Sequence, residues 1–205
     1  MAESGSWNNI QKYGLLSTSA LLDMYDVKGK QRFEIESCRR SESIILKNKK
    51  FGTCIIRDQK PLSENKLKDL LDDMTPQQFI KSLNNRTFFW VRKERLVTLL
   101  NASAYRKKSH DVLTVDTKKI IKEYENKITL CRINSGAIPY KRGRRGKHTF
   151  KRIKDYPFEE YKKTRGNDAI VELAVDYKIP DIKKYVIQVE TWENGNKIKT
   201  IWKKS

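Results

Sequence analysis

The sequence is poor in the groups that most metal and nucleophile chemistry uses. Its two histidines, His110 and His148, lie far apart and form neither an HExxH helix nor a Cys/His cluster, so a catalytic metal has no support. Three cysteines, Cys38, Cys54 and Cys131, are too few and too scattered for a disulfide framework or a zinc knuckle. That usage points to a reduced, cytosolic protein. There is no GxxxxGK[ST] phosphate loop and no GxGxxG. No apolar run approaches the ~18 residues that a membrane span needs, and "MAESGSWNNI" lacks the basic-then-apolar order of a signal peptide. Acidic residues are also scarce, 25 against 44 Lys and Arg, for a formal net charge of +19. A charge that large on a small domain favours polyanion partners such as nucleic acid, and is silent about fold.

What is present is enough for a core. Hydrophobic residues make up only 38%, yet four Trp, nine Tyr and seven Phe argue against general disorder. The 205 residues are most simply one domain. "SWNNIQKYG" predicts a helix capped by Ser6 and ended by Gly14, with a second short helix from Thr18 or Ser19. "RFEIESCRRSESIIL" is ambiguous, a helix through its charged part and then apolar "IIL". "FGTCIIRD" is a strand, "SENKLKDLLDDM" a capped helix, and "TPQQFIKSL" a helix with Thr75 as cap and Pro76 at its first position. "NRTFFWV", "HDVLTVDT" and "ITLCRIN" are strands, separated by the helical stretches "KERLVTLLNASAYR" and "KKIIKEYENK". Asn-Gly near the end signals a hairpin around Gly195, over about 184–202. The expected class is α+β.

Two features stand out. From about 138 to 166 runs a Gly-punctuated basic segment, which reads as a long loop holding one helical turn. Its cations Lys141, Arg142, Arg144, Arg145, Lys147, Lys151, Arg152 and Lys154 alternate with Tyr140, His148, Phe150 and Tyr156. Cations neutralise phosphates while rings offer faces to unstacked bases, the pattern for single-stranded nucleic acid; the plainer reading is a solvated surface loop. The second feature is "DAIVELAVDYKIPDI", residues 168–182, read as a strand. Alternation points Ala169, Val171, Leu173 and Val175 to the core and Ile170, Glu172, Ala174 and Asp176 the other way. Glu172 then sits either on a solvated face or on the floor of a cleft. A metal-dependent nuclease built on Asp168, Glu172 and Lys178 lacks the compact E-x-K spacing.

The order of segments resembles the DarT branch of the ADP-ribosyltransferases, and more closely a related bacterial family. The matching pieces are "GSWNNIQKYGLLSTSALLD", "RRSESI", "IIRDQKPL", "LNNRTFFWVRKERL", "AYR", "VLTVDT", "NSGA", "DYPF" and "VELAVDYKIPDI". They extend over nearly the whole chain up to the hairpin. The resemblance implies a split-sheet fold that cleaves NAD, with no metal, and passes ADP-ribose to a nucleobase. It places the catalytic acid on Glu172 and the pyrophosphate-holding Arg on Arg40, with Arg39 as the alternative. It places the helix and turn bordering the NAD cleft on Ser6, Trp7, Gly14 and Leu15, and the aromatic segment on Phe89 and Trp90. Arg142, Arg144, Arg145, Lys147, His148 and Arg152 then fall in the acceptor-contacting loop directly before Glu172. A His that the family sets before the counterpart of "MAES" has no equivalent in these residues.

Breaking the nicotinamide–ribose bond leaves positive charge on the ribose, which a nearby carboxylate stabilises. The same carboxylate can take the proton from the attacking base. The acceptor is then RNA or single-stranded DNA, RNA slightly ahead, since relatives in this branch include toxins of toxin–antitoxin and phage-defence systems, one of which modifies messenger RNA. An antitoxin protein is implied as partner and a membrane is not. A second hypothesis is a nucleic-acid-binding module without catalysis, its Glu172 merely solvated.

Overall fold

A computed structural model describes residues 1–138 and 143–204. The class is α+β, as expected. The chain divides into two compact units, each drawn from separate stretches.

The first unit takes Met1–Leu16, Arg92–Glu125 and Ile179–Ser205. Its antiparallel sheet has the order Ala2–Glu3, His110–Val115, Val186–Glu193, Asn196–Lys203. The last two strands are the hairpin that Asn-Gly signals. Asn194 and Gly195 both take positive φ, 50° and 73°, as the tight hairpin turn demands. Helix Trp7–Tyr13 starts without the expected Ser6 cap: the Ser6 side chain makes no capping bond, and buried Asp111 accepts the Trp7 N–H at 3.2 Å instead. Trp7 packs beside Trp202, ring centres 5.2 Å apart. Gly14 ends the helix at φ 92°, where a Cβ would come within 2.7 Å of Ile179 O, so backbone and backbone meet at a distance only glycine permits. Leu100, Val112 and Trp192 form the core, with Leu96 and Val97 of helix Lys93–Asn101 against it.

The second unit takes Ser17–Val91 and Asn126–Lys178. Helix Thr18–Met24 is capped by Ser17, and the ambiguous stretch resolves into helix Gly29–Ser37 and strand Ile44–Asn48. That strand pairs with Gly52–Ile56 as a hairpin. Its inner face adds Leu46 and Ile56 to a core with Leu22, Val27 and Ile35. Helices Glu64–Leu70 and Pro76–Asn84 form as their caps predict. Ser63 accepts from Lys66 N, and Thr75 and Gln78 make a reciprocal capping box. Leu62, Leu67, Leu70, Phe79, Ile80, Leu83 and Ile138 make a second core against the sheet.

That sheet has the antiparallel order Arg86–Trp90, Glu172–Asp176, Ile128–Cys131, Lys151–Arg152. Glu172–Asp176 is thus central, and shorter than the expected 168–182: Tyr177, at φ 65°, turns the chain out of the ladder. The basic segment is also less loop-like than expected. It holds the 3₁₀ turns Lys147–Thr149 and Ile153–Asp155, an edge strand, and the helix Phe158–Arg165. No residue of that helix is buried, so the apolar stripe that would announce it is missing from the sequence. Residues 139–142 lie outside the described part, Arg142 among them. Among the described residues no helix is long and apolar enough to cross a membrane.

Candidate active site

Cross-strand register defines the site. Trp90 and Cys131 stand directly opposite Glu172 on the two neighbouring strands, so the three side chains form one row on one face of the sheet. Phe89 is paired with Leu173 and points to the other face. The expected aromatic pair is therefore split, and only Trp90 shares the carboxylate's side. Two positions along on that same side, Ala174 lies opposite Phe88, which packs on the core of helices Glu64–Leu70 and Pro76–Asn84. Both faces of this strand are covered, so the solvated alternative for Glu172 fails: the residue is 5% exposed.

A buried charge needs partners, and Glu172 has few. The Ser135 N–H lies 3.3 and 3.2 Å from its two oxygens, and the Ser135 hydroxyl donates to Oε2 at 2.7 Å. Burial pushes the carboxyl up to about 7, against the opposing pull of the Ser135 bonds and of Arg145. It can therefore gain or lose a proton near neutrality. Cys131, beside it, is pushed the other way from usefulness as a nucleophile. Burial, aided by the negative charge of Glu172, holds its thiol protonated up to about 12.

Arg145 does not face out toward a polyanion. It is 3% exposed, and its guanidinium donates to Gly143 O at 2.7 Å and Ala137 O at 3.0 Å. Its backbone is laced to helix Glu64–Leu70, with Arg145 N to Leu70 O at 2.8 Å and Asp72 N to Arg145 O at 3.0 Å. Burial draws its pKa down, while Cys131 and Glu172 oppose that. The short stretch 135–137 thus grips both members of an unlike pair, Glu172 through Ser135 and Arg145 through Ala137 O. Ser135 is the residue that sequence reading passes over. Its only signal is its place in "NSGA", and its link to Glu172 spans 37 positions.

The remaining expected residues fall elsewhere. Arg40 is 7% exposed and braces the interior, its guanidinium donating to Ile35 O, Arg57 O at 3.0 Å and Asn84 Oδ1 at 3.0 Å. Burial pushes it down to about 10 against the pull of Asp58. A pyrophosphate would have to displace these bonds, so the geometry makes Arg40 a strut and not an exposed fork. Arg39 likewise spends Nε on Leu62 O and Nη2 on Lys60 O. Gln59 of "IIRDQ" meets Arg40 twice, its N–H on Arg40 O at 2.8 Å and its Oε1 on Arg40 N at 3.3 Å. Ser6, Trp7, Gly14 and Leu15 belong to the first unit.

Of the loop cations, Arg144 is paired with Asp72, and His148 Nδ1 lies 3.8 Å from the same carboxylate. Arg152 is bound to Asp176 at 2.6 Å, a residue that Arg86 approaches at 3.3 Å. Lys147 is exposed, its backbone N–H on Asp73 at 2.9 Å. Among the described residues no group of His, Cys, Asp or Glu side chains gathers in a way that could hold a metal. Neither a curated protein nor a solved structure matches the chain. Residues 1–186 match DUF7002, a family of unknown function, and the chain belongs to that family.

Proposed function

We propose that the protein is an NAD-dependent ADP-ribosyltransferase that modifies a nucleobase of single-stranded nucleic acid, RNA ahead of DNA. The observation that carries this is Glu172, a buried, sparsely partnered carboxylate with its pKa near 7 at the start of a central strand. Such perturbed acids concentrate at sites of chemistry. Oε1 receives only the shared Ser135 N–H among the described contacts, so it keeps acceptor capacity for a ribose hydroxyl.

In this reading the bond between the nicotinamide nitrogen and the ribose carbon breaks, its electron pair leaving with nicotinamide. A base nitrogen bonds to that carbon, and Glu172 accepts the proton the base gives up. The carboxylate also stabilises positive charge developing on the ribose. Ser135 orients it, and Trp90 offers a ring on the same face. NAD is a co-substrate here. The reading sets the reaction in the cytosol, with a neutralising antitoxin protein as a further partner.

The test incubates the protein with labelled NAD and, separately, RNA, single-stranded DNA, duplex DNA and protein extract. Nicotinamide release with label in RNA or single-stranded DNA is the expected result. No release and no labelled acceptor would sink the enzyme reading.

A further inference from the structure

We propose that strand Asn196–Lys203 docks an extended segment of a partner protein in which acidic and apolar side chains alternate. The strand belongs to the first unit, and its role is independent of the chemistry proposed for Glu172 in the second.

Asn196–Lys203 is the outer member of its sheet, paired on one side only, with Val186–Glu193. Among the described residues no backbone hydrogen bond leaves its other side, so a row of N–H and C=O groups stays open. Its faces are bare as well. Seven of its eight residues are exposed, and only Trp202 is partly covered, where it packs beside Trp7. An edge strand ordinarily packs one face on a core; this one orders eight residues around a single ring.

The exposed side chains are of two kinds. The ladder register passes over Ile198 and Ile201, each the extra residue of a bulge, and they are 57% and 38% exposed. Beside them stand Lys197, Lys199 and Lys203. Lys197 is answered by Glu190 within the same hairpin, whereas Lys199 and Lys203 make no ion pair among the described residues.

Each property narrows the occupant. An open edge pairs with polypeptide backbone, which a nucleic acid lacks. Isoleucines in place of exposed rings give bases nothing to stack on. A second copy laid along the strand would bring lysines against lysines, the arrangement that keeps native edges from pairing with themselves. An acidic segment turns that repulsion into cross-strand attraction, and apolar residues at its alternate positions cover the two isoleucines.

The experiment adds the full chain to a fluorescent eight-residue peptide of alternating Glu and Val, the length of the strand, and reads anisotropy. Saturable binding that weakens with salt is expected, together with slower amide exchange in Asn196–Lys203. Lys199→Glu with Lys203→Glu should weaken binding about tenfold, and Ile198→Ser with Ile201→Ser by a similar factor. Lys47→Glu with Lys49→Glu, at exposed positions of the second unit, should leave it unchanged. Urea midpoints confirm that each variant is folded. No binding, undiminished binding by either strand variant, equal loss in both lysine pairs, or protection only outside Asn196–Lys203 would overturn the assignment. Slower exchange of this strand on adding single-stranded RNA, or on raising the protein concentration alone, would overturn it too, giving the surface to nucleic acid or to a second copy.

Discussion

Replacing Glu172 by Gln removes a titrating proton while keeping nearly the same shape, and the structure says what that should do to stability. The carboxyl moves from its ordinary 4.5 in the unfolded chain to about 7 in the fold. Between those values the folded state holds a proton that the unfolded state has lost. Its stabilisation is fully present below pH 4.5 and is lost as pH rises through 7. At 1.36 kcal/mol per pH unit of separation, the full effect is about 3 kcal/mol. The amide that replaces the carboxyl does not titrate, so the stability of Glu172→Gln minus that of the unaltered chain should climb by about 3 kcal/mol from pH 4.5 to pH 8. Every other titrating group cancels in that difference. Urea unfolding of both proteins across this range, with the denaturant slope held common, reads it directly. A flat difference, or one that falls with pH, would refute the argument that Glu172 is a desolvated acid. The same variant should keep nucleic-acid binding and lose transfer, since an amide can accept a hydrogen bond but cannot take the proton.

Two other changes probe the surroundings of this carboxylate. Ser135→Ala removes the 2.7 Å hydroxyl bond to Oε2. A bond to a charged group contributes roughly 1.5–3 kcal/mol, so the midpoint of the pH–rate profile should rise by about one to two pH units; an unmoved midpoint would show that the hydroxyl does not set the proton affinity. Arg145→Ala removes a buried side chain and the donor to the part-buried carbonyls of Gly143 and Ala137, and should cost roughly 2–4 kcal/mol by urea unfolding. Arg144→Ala, at an exposed ion pair, should cost under about 1 kcal/mol. Equal costs for the two would mean that Arg145 is not the interior residue it is drawn as.

How much of this was legible in the sequence depends on whether the cause was local. Ser63, Thr75 with Gln78, and Asn194-Gly195 act within a few residues, and the helices and hairpin they specify form as expected. Helix Phe158–Arg165 fails that test, because its charged residues carry no apolar face and Pro157 at its cap position reads as loop. Alternation gave the correct inward set Val171, Leu173 and Val175. It could not tell that the opposite face would be roofed by helices almost a hundred positions upstream. Glu172 was singled out as a residue, yet its environment was not. Ser135 and the inward turn of Arg145 depend on contacts between distant segments, and no spacing rule reaches them. Arg40 came from the family resemblance alone, and only the fold shows its guanidinium spent on Ile35, Arg57 and Asn84.

Strand Glu172–Asp176 is held at its two ends by opposite kinds of force. Asp176 is clasped by Arg86 and Arg152, at 3.3 and 2.6 Å, where water still reaches all three side chains. Ions in solution weaken such a clasp. Glu172, at the dry end of the same strand, is beyond their reach and answers to protons instead. Ionic strength and acidity are therefore separate handles on one short strand, the first loosening its tail and the second setting the charge at its head.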